Sequence, residues 1–316
     1  MEKHDKNNLV DTAKVLFIYT IRHLIPLFSP QRRAVLAEII GRQSLRGEKA
    51  HIIKDELKKL FGPDLLDKEL NQITLRTLNN FRKDLFDTWC FPSLNPKNIK
   101  DFGYLEGKEN LNKALEKGKG AIIAVSHFGL WKAILPVIGY TGYKVTQIAK
   151  SPLDFTGNKS SFVNNKVMEI EYQCEKSLPA KFIYLGQFLR PVYKSLANNE
   201  VVVISFDGVK GTKRLLTRLF NRDVHFSSGP VTLSLETGSP LLPAFIIRDK
   251  DERHKIKIEQ ELYMPESGGK EQIIQQVINN YALLLKDYIA KYPCHYAMFM
   301  YIALTHHIKG DPQVFL

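Results

Sequence analysis

Apolar residues recur at helical spacing through most of the first hundred residues. Residues 34–41 and 50–61 show this pattern, and residues 64–89 repeat it over the longest stretch. Prolines and an asparagine at 92–96 then interrupt it. We therefore predict an N-terminal section, residues 1–100, that is helical, basic and amphipathic.

The pattern changes after residue 100, where short apolar runs alternate with helical segments. Residues 120–126 form an apolar run that ends at His127, as expected of a buried strand, and residues 200–206 form the clearest strand in the chain. Strands that alternate with helices are typical of an α/β fold. We predict a mostly parallel central sheet flanked by helices over residues 101–316, joined to the N-terminal section in one structural unit.

The most hydrophobic segment of the chain, "VLFIYTIRHLIPLFSPQRR", lies near its N-terminus. Arg22, His23 and two prolines interrupt it, so it falls short of the ~20 apolar residues that a membrane span needs. Residues 12–47 carry six Lys and Arg against Glu38 alone. We expect this segment to lie in the interface of an anionic membrane. The alternative is an ordinary core helix with a solvated basic face.

The chain carries a formal charge of +12, which favours a polyanionic partner: nucleic acid, anionic lipid or an acidic protein. One basic run, residues 208–225, is a candidate dock for phosphates or an acidic carrier, and its alternative is a solvated surface loop. The run contains one acidic residue, Asp223, and its basic residues are Lys210, Lys213, Arg214, Arg218 and Arg222. The sequence contains no motif that reads DNA or RNA, so we expect no nucleic-acid partner.

Other chemistries find little support in the sequence. The three cysteines are far apart and lack metal-ligand spacing, so we expect no metal site and a reducing, cytoplasmic environment. The sequence has no GxSxG nucleophile elbow, GxxxxGK phosphate loop or GxGxxG dinucleotide fingerprint.

His127 stands where a strand ends and a helix begins, a common place for catalytic groups in α/β proteins. The surrounding stretch "AVSHFGLWK" resembles the His-Phe-Gly-Asn-Trp-Glu motif of the bacterial lipid A biosynthesis (lauroyl/myristoyl) acyltransferases, within the lysophospholipid acyltransferase superfamily. Four further stretches resemble that family in the same order: "SPLD" (151–154), "VYKSLANNEVVVISFDG" (192–208), the Gly-Pro block at 219–248 and "YIAKYPCHYAMFM" (288–300).

The resemblance implies transfer of a fatty acyl group from acyl carrier protein or coenzyme A to a hydroxyl of a membrane (glyco)lipid, with no cofactor besides the donor thioester. It also implies peripheral attachment to the cytoplasmic face of the inner membrane. In the family the histidine is the general base, and a carboxylate after four intervening residues orients its ring. Substrate contacts are expected from residues in the matching motifs and in the basic run: Trp131, Ser151, Asp154, Lys210, Lys213, Arg214 and Gly229.

The chain departs from the family pattern at two positions, with Lys132 in place of the carboxylate and Ser151 in place of an arginine. An ammonium group cannot accept a hydrogen bond, and a nearby positive charge weakens a base. We interpret the two changes as a relocation of charge, in which Lys132 supplies a cation for an oxyanion or phosphate. The partner of His127 is then Asp207, after the strand 200–206, or else Asp154. The alternative role of Asp207 is a helix cap or turn residue.

Three functions remain open at this point. The first is an active acyltransferase whose catalytic residues are His127, Lys132 and Asp207. The second is a carrier-dependent transferase of an aminoacyl or unusual acyl group. The third is an inactive relative that binds lipid or carrier without turnover, and the oligomeric state is left open in all three.

Overall fold

A computed structural model describes residues 2–41, 46–62, 65–156, 161–208 and 213–316. The N-terminal section is helical, as the hydrophobic spacing predicts. Its helices are α1 (Glu2–Leu24), α2 (Pro30–Gly41), α3 (Glu48–Phe61) and α4 (Asp67–Trp89). None of the helices in the described ranges is both long enough and apolar enough to pass through a bilayer.

The rest of the chain alternates strands with helices, and the predicted α/β fold class is confirmed. Its helices are α5 (Ile99–Phe102), α6 (Lys108–Leu115), α7 (Ile134–Tyr140), α8 (Phe162–Lys176), α9 (Arg190–Ala197), α10 (Gly229–Thr237), α11 (Lys270–Lys291) and α12 (Ala297–Ile308). Its strands are β1 (Gly103–Glu106), β2 (Ala121–Val125), β3 (Val145–Ala149), β4 (Ala180–Tyr184), β5 (Val201–Ser205), β6 (Arg214–Leu219), β7 (Arg222–Ser227), β8 (Leu241–Arg248) and β9 (His254–Ile258).

Seven strands form the central sheet, in the order β1-β9-β8-β2-β5-β3-β4. All neighbouring strands are parallel except β8 and β9. The central strands β2 and β5 are apolar almost throughout because helices cover both faces of the sheet, as parallel sheets require. The ends of β2, β5, β3 and β4 therefore lie along one edge, which we call the C-terminal edge.

The basic run after β5 contains a hairpin that the sequence analysis did not predict. Strands β6 and β7 pair antiparallel, and Val224 and Phe226 point into the core, where Phe226 packs near Phe206 and Tyr281. On β7 these apolar positions alternate with polar residues, whereas β6 has no strict alternation. Residues 214–227 therefore form a hairpin with an apolar face, where a docking site or a solvated loop was expected from the sequence.

A buried charge network joins the N-terminal helices to the sheet. Asp87 on α4 accepts hydrogen bonds from Arg33 at 3.0 Å and from Arg248 at 2.8 Å, and His254 lies 3.0 Å away. Burial alone would raise the pKa of Asp87. The positive charge of Arg248 and the hydrogen bond with His254 instead lower this pKa well below its usual value. Arg33 therefore belongs to the protein interior. The division of the chain into two sections near residue 100 stays a prediction.

Candidate active site

The topology brings His127 and Asp207 together. Val125 and Ser205, the last residues of β2 and β5, are paired in register, and each candidate follows its strand by two residues. The hydrophobic runs that form the two strands thus also determine where the two polar side chains emerge. This is the edge at which parallel sheets carry their functional groups.

The carboxylate of Asp207 holds the imidazole of His127 in one orientation. Oδ1 of Asp207 lies 2.7 Å from Nδ1 of His127, and Oδ2 accepts the backbone N–H of His127 at 2.8 Å. Since a carboxylate accepts at Nδ1, that nitrogen carries the proton and Nε2 keeps its lone pair. The side chain of Asp207 is fully buried, whereas that of His127 is 31% exposed. The site therefore combines a buried acceptor with an accessible base.

Aromatic residues fix the plane of the His127 ring. Phe299 on α12 stacks on it with ring centres 4.4 Å apart and an angle of 6°, and Trp131 lies edge-on at 5.4 Å. Between His127 and Trp131 the backbone turns at Gly129, with φ of +64°. A Cβ atom there would lie 2.3 Å from the carbonyl oxygen of Ile246. Glycine is required there because any side chain would collide with the neighbouring strand.

A buried tyrosine supports the carboxylate. The hydroxyl of Tyr296 donates a hydrogen bond to Oδ2 of Asp207 at 3.2 Å. Burial, followed by the negative charge of Asp207, raises the pKa of Tyr296 well above its usual value, so the hydroxyl keeps its proton. Tyr296 was not among the predicted site residues, although it is the last tyrosine of the family-like stretch at 288–300. Phe299, in the same stretch, was missed as well.

Lys132 does not lie free beside the base. Its ammonium group forms ion pairs with Glu171 and Glu175, both on α8. Burial alone would lower the pKa of Lys132, but the two carboxylates raise it above its usual range. Glu175 is only 1% exposed, and its second oxygen has no hydrogen-bond partner in the described part of the chain. Lys132 thus pairs with two carboxylates, one of them buried, and this gives no support to its expected role as a cation for the substrate.

The two candidates after β3 lie on a short turn that follows the strand. Ser151 is buried, and its hydroxyl accepts the backbone N–H of Leu153 at 3.3 Å to cap a short 3-10 turn. Asp154 lies exposed on that turn. Neither side chain is hydrogen-bonded to His127 within the described ranges, so Asp207 is the carboxylate that the fold places beside the base.

The candidates of the basic run are largely paired with other groups. Lys213 forms an ion pair with Glu271, and Arg214 donates to the backbone carbonyl of His225 at 3.2 Å. Gly229 begins α10, and its N–H donates to the hydroxyl of Ser227 at 3.1 Å. Lys210 lies outside the described residues.

The described residues contain no group of three or more His, Cys, Asp and Glu side chains placed as metal ligands would be. What the arrangement offers is proton transfer: an oriented, accessible imidazole with a buried carboxylate behind it. This suits general-base activation of a hydroxyl or water.

Comparison with known proteins supports the motifs. A search among curated proteins finds no match. The profile of the bacterial lipid A biosynthesis acyltransferases, in contrast, matches residues 5–301, which include the N-terminal helices, the whole sheet and the His127 site. The chain belongs to the family of bacterial lipid A biosynthesis acyltransferases.

Proposed function

We propose that this acyltransferase moves a fatty acyl group from a thioester donor to a hydroxyl of a membrane glycolipid, with His127 and Asp207 as its catalytic pair. The observation that carries the proposal is the 2.7 Å contact between Nδ1 of His127 and Asp207. A carboxylate in that position replaces the one that Lys132 cannot provide. The assembled pair favours an active enzyme over an inactive lipid-binding relative.

The proposed reaction uses each ring nitrogen of His127 once. Nε2 removes the proton of the acceptor hydroxyl as its oxygen attacks the thioester carbonyl, and Asp207 stabilises the imidazolium through Nδ1–H. The tetrahedral intermediate then collapses, the carbon–sulfur bond breaks, and the imidazolium returns its proton to the departing thiolate. The products are the acylated lipid and the free thiol of the carrier.

The net charge of the protein supports an anionic donor. Acyl carrier protein is acidic, and coenzyme A carries phosphates, so a protein of charge +12 attracts either. Because Lys213 and Arg218 already form ion pairs, with Glu271 and Asp223, we expect the basic hairpin to contribute to attraction at a distance more than to tight contact. An aminoacyl group on an acidic carrier protein would be attracted by the same positive charges.

We further propose peripheral attachment to the cytoplasmic face of the inner membrane through the N-terminal helices. Leu16 and Phe17 on α1 are 63% and 61% exposed, and Leu27 in the following turn is 79% exposed. Arg32 is also exposed, at the start of α2. Apolar side chains beside cations suit an anionic interface.

The decisive experiment measures transfer from labelled acyl carrier protein and from acyl-coenzyme A to a panel of lipid acceptors. We expect His127→Ala to abolish transfer and Asp207→Asn to lower it by about 10²–10⁴-fold, because the amide favours the wrong imidazole tautomer. His51→Ala, on the exposed surface of α3, is the matched control. Full activity of His127→Ala would refute the proposed site, and a wild-type protein that binds lipid without transfer would identify an inactive relative.

A further inference from the structure

The loop between β4 and α9 exposes apolar side chains in a group. Every residue from 185 to 191 is exposed. Phe188 is 92% exposed, the most of any large apolar residue in the described ranges, and Leu185 and Leu189 are 44% and 47% exposed. Apolar side chains exposed together mark a surface that contacts another phase or molecule.

Hydrogen bonds connect the start of the loop to β3 and β4. The N–H of Leu185 donates to the carbonyl of Ala149 at 2.9 Å, and the side chain of Gln187 accepts the N–H of Tyr184 at 3.0 Å. Gly186 turns the chain with φ of +92°. These contacts order the loop backbone, so the exposure of Phe188 belongs to a defined turn.

The loop lies on the same side of the sheet as the catalytic pair. It follows β4, whose end shares the C-terminal edge with the ends of β2 and β5, where His127 and Asp207 lie. Two further exposed apolar residues follow the neighbouring strand β3: Leu153, 39% exposed, and Phe162 at the start of α8, 51% exposed. The apolar residues thus come from separate connections along one rim.

Within the segment that carries the loop, the charge has one sign, and the exposed carboxylate on the neighbouring connection after β3 is that of Asp154. Between residues 176 and 199 the chain has four Lys and Arg and no Asp or Glu. One of them, Arg190, directly follows the apolar residues of the loop and is itself exposed. Apolar side chains flanked by cations complement the interface of an anionic bilayer, which supplies an apolar interior beneath negative headgroups.

We propose that residues 185–190, which we call the rim loop, insert into the interface of an anionic bilayer and hold the C-terminal edge of the sheet against the membrane. This contact is additional to the N-terminal helices and would place His127 at the headgroup level of a lipid acceptor. It rests on the proposed function for the identity of the acceptor, but the membrane contact itself is measurable without turnover.

The test is partitioning of the full chain onto vesicles of phosphatidylcholine, alone or mixed with phosphatidylglycerol. We expect Phe188→Ser combined with Leu189→Ser to lower the partition coefficient on mixed vesicles by about tenfold, because two apolar side chains leave the bilayer. Arg190→Glu should lower it about fivefold or more on mixed vesicles and leave binding to phosphatidylcholine alone unchanged. Thermal unfolding of each variant checks that the fold is kept.

Two variants serve as matched controls. Leu283 on α11 is 60% exposed, between the values of Leu189 and Phe188, so Leu283→Ser removes a comparably exposed apolar side chain elsewhere. Lys113 is exposed near the end of α6, before β2 begins, and Lys113→Glu reverses a charge at the opposite edge. Both should bind vesicles as the wild type does.

The outcomes separate this inference from the proposed function. Wild-type vesicle binding by the Phe188/Leu189 variant would overturn the membrane contact, even if acyl transfer is found. Loss of vesicle binding would support the contact, even if no acyl transfer is found for any acceptor. If that variant instead loses binding to acyl carrier protein and keeps vesicle binding, the rim loop is a carrier dock and the inference is wrong.

Discussion

The hydroxyl of Tyr296 lies 3.2 Å from Oδ2 of Asp207, so the carboxylate that orients His127 is itself held by a buried phenol. The same Oδ2 accepts the backbone N–H of His127, while Oδ1 faces the imidazole. Both oxygens of Asp207 thus have donors in a fully buried position. We assign Tyr296 as a positioning residue, since it acts on the base only through Asp207.

We expect Tyr296→Phe to lower kcat by about tenfold, because Asp207 without this donor holds the His127 ring less precisely in its reactive orientation. A carboxylate with one donor fewer stabilises the protonated imidazole more strongly, so the acid limb of the kcat/KM profile should move to higher pH. Tyr292→Phe is the control, because Tyr292 lies in the same segment and makes no hydrogen bond to Asp207. An unchanged pH profile in Tyr296→Phe would reduce Tyr296 to a packing residue.

The sequence predicts the central strands of the sheet and favours Asp207 as the partner of His127, for a common reason. Each residue follows a continuous apolar run, and in a parallel sheet such runs end at one edge. The partners of Lys132 could not be predicted in the same way. Glu171 and Glu175 are four residues apart on a helix face, but nothing in their spacing identifies the distant lysine that they meet.

The basic residues show a second limit of the sequence. Arg33 and Arg32 are neighbours in a cationic segment, and composition assigns both to the surface. Helical geometry turns Arg33 inward to Asp87, while Arg32 stays exposed. In the same way, the high charge of the basic run concealed the apolar face of the hairpin, to which Val224 and Phe226 contribute on β7. Counting charges therefore overestimates the cations available to a membrane or carrier.

His295 should make the fold sensitive to acid. Burial, and then the nearby charges of Arg248 and His254, lower the pKa of His295 to about 3. The unfolded chain binds a proton near pH 6.5 that the folded protein excludes, so stability is complete above that pH and falls as the pH drops from 6.5 towards 3. The expected slope is about 1.4 kcal/mol per pH unit from this one group.

His295→Gln tests this origin of the acid sensitivity. The glutamine can still accept the backbone N–H of Arg248, which His295 Nε2 accepts at 3.2 Å. Urea unfolding between about pH 4 and 7 should therefore show a smaller dependence of the unfolding free energy on pH in the variant. The expected difference in slope is about 1.4 kcal/mol per pH unit. His51→Gln, at an exposed position, should retain the wild-type slope. Equal slopes in His295→Gln and the wild type would contradict the assignment.

The proposed membrane contact of α1 is best tested by point variants. Deleting residues 1–47 would also remove Ile25 and Ala37 from the core, so a loss of vesicle binding would have two explanations. Leu16→Ser with Phe17→Ser changes only exposed side chains, and we expect about tenfold weaker partitioning onto anionic vesicles. If the double variant binds as the wild type does, α1 is an ordinary surface helix.

Arginine variants in α2 should separate surface charge from core charge. Arg32→Glu should weaken binding to anionic vesicles while the melting temperature stays unchanged, because Arg32 is exposed. Arg33→Glu should instead destabilise the fold, since it places a second carboxylate beside the buried Asp87. Vesicle partitioning and thermal unfolding of the two variants provide the comparison. Equal stability of the two would contradict the interior position of Arg33.

Lys132 offers two hypotheses with opposite outcomes. If its charge acts on the substrate, its removal should lower the rate by about 10²–10³-fold, whatever happens to Glu171 and Glu175. If it serves only these two carboxylates, Lys132→Met should destabilise the protein by about 3–5 kcal/mol, because Glu175 is left buried without a counter-charge.

The variant Lys132→Met/Glu171→Gln/Glu175→Gln distinguishes the two hypotheses, since it removes the cation together with both carboxylates. From the contacts of Lys132 we expect the triple variant to recover most of the stability lost in Lys132→Met. It should also transfer acyl groups within about threefold of the wild-type rate, a change of under 1 kcal/mol in the barrier. Urea unfolding and initial rates at saturating donor provide the two measurements. A stable triple variant that has lost about 10²-fold or more in rate would restore the charge-relocation hypothesis and make Lys132 a residue that acts on the substrate.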